Sequence, residues 1–192
     1  MPLSESVSDA VRSLVLYDGM EPEEKRELLE SLAVGRQALL DAVGEFPEEA
    51  ARDAPPGRWS VLECVEHVAV AEKYLLARLM EGKAAGDVAI PRQREALIRE
   101  RAANRSRTVP APESALPAGR YATLAAALAD FLETRERTIR FVSECQEDLR
   151  AKITTHPILG AATCQETLLM MAAHPLRHAK QIAEIRQKAR SE

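Results

Sequence analysis

Two histidines four residues apart, His174 and His178, lie in the mostly apolar run that begins near Thr163. On one helix such residues share a face, roughly 6 Å apart at their β-carbons, so both imidazoles can reach one metal ion. A third histidine, His67, falls in the middle of another strongly helical segment. Three imidazoles would leave one position of a tetrahedral ion for water or substrate, which is the pattern of a catalytic site. The chemistry such a set supports is acidification of water, or activation of a thiol or carbonyl. Glu63, one turn before His67, is the expected outer partner that orients its ring. Tyr74 is a further candidate for the pocket wall.

Pro175, beside the first histidine of the pair, allows two outcomes. Inside a helix it removes the bond to the Met171 carbonyl and costs roughly 3 kcal/mol. Alternatively it starts a new helix with His174 as its cap, which would swing the two rings apart. The plain alternatives also stand: a hydrogen-bonded or solvated histidine pair, and a satisfied core histidine at position 67.

The elements that must bring these side chains together are helices. Residues 21–44 open with Glu21-Pro22-Glu23-Glu24, which suits a helix start, and carry a stripe of Leu28, Leu29, Leu32, Leu39, Leu40 and Val43. Ser60 and Glu63 form a capping box for a second helix, with Leu62, Val65, Ala69, Leu76 and Leu79 on one face and His67 beside it. A third long helix is predicted over 121–147 and a fourth over 163–190, capped by Thr163 with Glu166. A short charged helix is expected within 91–104. Prolines 110, 112 and 117 make 106–120 a long loop that either walls a pocket or wraps the bundle. Val7, Ala10, Val11 and Leu14 suggest one more short helix over 4–17. No strand pattern stands out, so the reading is all-α: a four-helix bundle in one domain over 1–192, with 1–20 as an extension.

Composition agrees. The 192 residues are 46% apolar and only 4% aromatic, which favours helix, and the net charge of -4 gives no footprint for nucleic acid. The three cysteines are scattered, as reduced thiols of a cytoplasmic protein would be, and Cys64 reads as buried filler. No apolar run approaches the ~20 residues of a membrane span, and no signal-type core is present near the N-terminus. His156, before a proline, reads as a turn residue with a local hydrogen bond. Arg177 and Gln181, flanking His178, read as surface or inter-helix contacts.

Taken together, several pieces resemble the DinB/YfiT-like superfamily of metalloenzymes. They are Arg58-Trp59-Ser60-Val61-Leu62-Glu63 leading to His67, the loop from Ala111-Pro112-Glu113 through Pro117-Ala118-Gly119-Arg120, and Phe131 with Arg135. His156-Pro157 to Gly160, and His174 through Arg177-His178 to Gln181-Ile182, complete the pattern in the same order. The resemblance covers roughly residues 25–185 and departs at Pro175, where an acidic or polar residue is commoner. It implies a four-helix bundle, often a homodimer, with nickel or zinc on His67, His174 and His178. It also implies thiol S-transferase, isomerase or hydrolase chemistry on a small-molecule substrate, with a low-molecular-weight thiol such as mycothiol or bacillithiol in some members. The competing class is a non-catalytic bundle for dimerisation or partner binding, with a structural or vestigial metal site.

Overall fold

Leucine spacing decides the first element. Leu28, Leu32, Leu39 and Val43 recur at helical intervals, and all are buried on helix α1, Pro22–Val43. The computed structural model describes residues 19–44, 46–54, 56–86 and 90–189. The short helix expected over 4–17 lies outside them. After a 3-10 turn at Glu49–Arg52, helix α2 spans Val61–Met80, a two-residue strand β1 spans Lys83–Ala84, and the short helix α3 spans Gln93–Arg101. Helix α4 covers Leu124–Glu144 and α5 covers Cys164–Ala189. The start of α4 falls three residues after the predicted Tyr121, because the Thr123 side chain takes the cap and accepts from the Ala126 N–H.

The four long helices form the bundle, with α1 packed mainly on α5 and α2 mainly on α4. Two apolar clusters fill it. One joins Leu28 and Leu32 to Leu75, Leu79, Leu168 and Met171; the other joins Leu39 to Val61, Val65, Phe131 and Ile182. Each such side chain contributes about 1.5–3 kcal/mol when fully buried, far more than intrinsic helix preference supplies.

One close approach sets the spacing of α1 and α5. A β-carbon built at Gly35 would lie 2.3 Å from the Ala172 carbonyl oxygen, so only glycine fits. Gly35→Ala should therefore reverse the usual stabilisation by alanine in a helix. A net loss of about 1–3 kcal/mol in urea denaturation is expected.

A small antiparallel sheet, absent from the sequence reading, sits beside the bundle. Its order is β1, then β2 at Lys152–His156, then β3 at Gly160–Thr163. Ile153, Thr154 and Thr155 suit a strand, but Gly160-Ala161-Ala162-Thr163 carries no apolar alternation, so β3 arises from pairing rather than from pattern. Gly160, at φ +70°, closes the hairpin turn.

Within that turn, Nδ1 of the buried His156 accepts the Ile158 and Leu159 N–H groups at 3.1 and 3.2 Å, the local role expected of it. Burial pushes its pKa from 6.5 down to about 4. The fold holds the neutral ring, so its contribution is complete above pH 6.5 and is lost as the pH falls towards 4. The difference corresponds to about 3 kcal/mol. The urea midpoint should drop across this window more steeply for the native chain than for His156→Asn.

Candidate metal centre

The capping box fixes where α2 begins and hence how His67 faces. Glu63 N–H donates to Ser60 Oγ at 3.1 Å, and Ser60 N–H donates to Glu63 Oε2 at 2.7 Å. Two turns on, His67 is buried at 5% exposure. A matching reciprocal cap, Thr163 with Glu166, starts α5. Helix α5 then runs unbroken through Pro175, keeping His174 and His178 on one face.

The three rings converge. Nε2 of His174 lies 3.1 Å from Nε2 of His67 and 3.1 Å from Nε2 of His178, across 107 residues of chain in the first case. For comparison, metal–nitrogen bonds of 2.0–2.1 Å in tetrahedral geometry put ligand nitrogens about 3.3 Å apart. His67 Nδ1 sits 2.7 Å from the Ala115 carbonyl oxygen. That oxygen can only accept, so Nδ1 carries the proton and Nε2 points a lone pair into the cluster.

This tautomer tests whether an ion fits. With three neutral rings, the His174 nitrogen satisfies both neighbours poorly. Either its one N–H is shared between two lone pairs, or its lone pair faces the lone pair of His67. A cation uses all three lone pairs at once. Burial, reinforced by the neighbouring rings, holds His174 and His178 well below the ordinary histidine pKa, and burial lowers His67 too. Neutral imidazoles are the form that ligates.

The proline-rich loop is part of the centre. Its 3-10 turn, Glu113–Ala115, supplies the carbonyl on His67. Buried Glu66, the neighbour of His67, accepts from the Ala118 N–H at 2.7 Å and from Arg120 Nη1 at 2.8 Å. At the other end, Arg177 donates to the Asn104 and Arg107 carbonyls, while Arg105 donates to Gln181 and, through two nitrogens, to Glu184. The loop therefore packs beside the histidines and is tied to both helices that carry them. Trp59 closes another side, its ring centroid 4.9 Å from that of His67 and stacked on His178 at 6.2 Å. His67 and His178 are buried and His174 is partly buried.

The structure thus brings together His67, His174 and His178 and engages Glu63 elsewhere. The Glu63 carboxylate is committed to the α2 cap, and the acceptor that orients His67 is the Ala115 carbonyl. Tyr74 is 40% exposed. Cys64 is fully buried, which pushes its thiol up to about 12 and leaves it protonated filler. Gln181 lies one turn beyond His178 and interacts with that ring, while its oxygen accepts from Arg105 at 3.1 Å. Trp59, next to the Ser60 cap, was not legible as a wall. Ala115 gives no sequence signal at all, since it acts through its backbone.

A family model described as the DinB superfamily matches residues 31–182. No curated protein matches the chain. Among solved structures, YfiT from Bacillus subtilis is similar in fold, with a TM-score of 0.56 at 16% identity over 90% of this chain and 91% of that one. It is described as a probable metal-dependent hydrolase with an unusual four-helix bundle topology. No described helix is long and apolar enough to cross a membrane. With a bundle of that type, three facing imidazoles and a match across most of its length, the chain belongs to the DinB superfamily.

Proposed function

We propose that this protein is a divalent-metal enzyme whose ion, nickel or zinc, is held by His67, His174 and His178. Its reaction is thiol S-transfer to, or hydrolysis of, a small electrophilic substrate. The observation that carries this reading is the meeting of three Nε2 atoms, with the His67 lone pair fixed inward by the Ala115 carbonyl. Imidazole ligands suit zinc and nickel alike. A bound ion would supply Lewis acidity towards a water, thiol or carbonyl oxygen reaching the fourth position.

The chain's own residues prepare that position. The Ala115 carbonyl holds the His67 ring in one tautomer and orientation. Trp59 sets an apolar surface against two of the three ligands and keeps bulk water from that side. Glu66 and Arg177 hold the covering loop in place.

A second reading is favoured by the strapped loop and the 5% exposure of His67 and His178: a structural ion in a non-catalytic module. The two readings part in one experiment. The Co²⁺-loaded protein is titrated with a small thiol while its visible spectrum is followed, and the zinc and nickel forms are then assayed for thiol conjugation and ester hydrolysis with and without chelator. The enzyme reading expects a spectral change on thiol addition and turnover that chelator abolishes. An unchanged spectrum, with no chelator-sensitive turnover, would leave the structural ion.

A further inference from the structure

Pro175 has no N–H, so the Met171 carbonyl one turn earlier loses its helical donor. The structure supplies another. Nη2 of Arg135, on α4, donates to the Met171 oxygen at 2.8 Å. The same guanidinium donates to the Leu32 carbonyl of α1 at 2.9 Å and, at 2.7 and 2.8 Å, to the two carboxylate oxygens of Glu72 on α2. Thr138 Oγ1 adds a bond to Glu72 at 3.0 Å, and Phe131 lies under the guanidinium with its centroid 5.2 Å away. Arg135 is 0% exposed and Glu72 is 1% exposed. One side chain therefore ties all four long helices together, three residues before His174 on α5 and five residues after His67 on α2.

Stability alone does not account for this arrangement, because buried ion pairs are commonly replaced by apolar residues at little or no cost. Registry does. Ligand distances have to hold within about 0.2 Å for a metal site, and the triad draws its members from two helices that meet at this guanidinium. Gly35, which lets α1 close against the Ala172 carbonyl beside Met171, belongs to the same junction.

We propose that Arg135 is a positioning residue for the histidine triad. It stands in for the N–H that Pro175 lacks and, through Glu72, locks the His174 turn of α5 to the helix that carries His67. This inference rests on the metal reading above. The clamp tunes affinity for the ion without touching it.

The test uses Co²⁺ titration of the full chain, following the ligand-field bands whose intensity reports coordination geometry. Glu72→Leu with Arg135→Met removes both buried charges and leaves the Met171 carbonyl without a donor. This variant should stay folded and bind Co²⁺ about 10–100-fold more weakly. Adding Pro175→Ala restores the helical N–H and should recover about tenfold of that loss. A purely structural role for Arg135 would give no such rescue. Wild-type affinity in the folded double variant overturns the proposal, and a triple variant no tighter than the double overturns the carbonyl link. Should the double variant fail to fold, Arg135→Lys serves. It keeps the charge opposite Glu72 but cannot span both carbonyls, so weaker Co²⁺ binding that Pro175→Ala rescues supports the clamp, and unchanged binding refutes it. Failure of the native chain to bind Co²⁺ would refute the metal reading itself.

Discussion

Replacing His174 and His178 together by alanine should abolish stoichiometric metal binding, leaving less than about a tenth of an equivalent after dialysis. Two of the three converging nitrogens disappear, and one imidazole cannot hold a divalent ion against water. His67→Ala should weaken binding by more than about a hundredfold, beyond what outer-shell changes produce. A linked readout follows from mass action. Metal at about a thousandfold excess over its Kd stabilises a folded site by about 4 kcal/mol, so zinc or nickel should raise the melting temperature of the native chain and leave the double variant unmoved. The metal-free variant should fold, because the bundle rests on the leucine stripes and the Arg135 junction rather than on the imidazoles.

Arg135→Met should be the most damaging single change to stability, at about 3–5 kcal/mol. It leaves the Glu72 carboxylate, at 1% exposure, with only the Thr138 hydroxyl as partner, strands the Met171 carbonyl, and removes the second donor on the Leu32 carbonyl. A domain stable by about 5–15 kcal/mol loses much of its margin to such a change. Glu72→Leu added to it should recover most of the loss, since the uncompensated buried charge is then gone. Urea denaturation of the single and double variants measures both numbers. A single variant within about 1 kcal/mol of the native chain would show that the ion pair is not buried in solution.

The helices were readable because their buried faces recur at the helical period, and two of their starts because Ser60 with Glu63 and Thr163 with Glu166 are reciprocal caps within four residues. The triad was readable for a similar reason: the i,i+4 histidines share a face by geometry, and His67 lies beside an apolar stripe. What sequence could not show is what comes from distant chain. Pro175 looked like a break or a kink, and its remedy is a guanidinium 36 residues upstream of the Met171 carbonyl it serves. Glu72 sits beside Lys73 in a mixed stretch, with nothing local to mark it as half of a buried pair. The acceptor on His67 is a backbone carbonyl 48 residues away, which no side chain announces, so the nearby Glu63 looked like the better partner. Strand β3 fails for the same reason, since Gly160-Ala161-Ala162-Thr163 becomes a strand only through its register with Ile153 to His156.

The most direct measurement is X-ray absorption at the metal edge of the purified, zinc-loaded chain, with the zinc content determined in the same sample. One equivalent of zinc, with imidazole scattering from three rings at about 2.0–2.1 Å and one lighter ligand, is the expected result. Zinc well below one equivalent, or scattering from fewer than three imidazoles, would mean that His67, His174 and His178 do not share an ion.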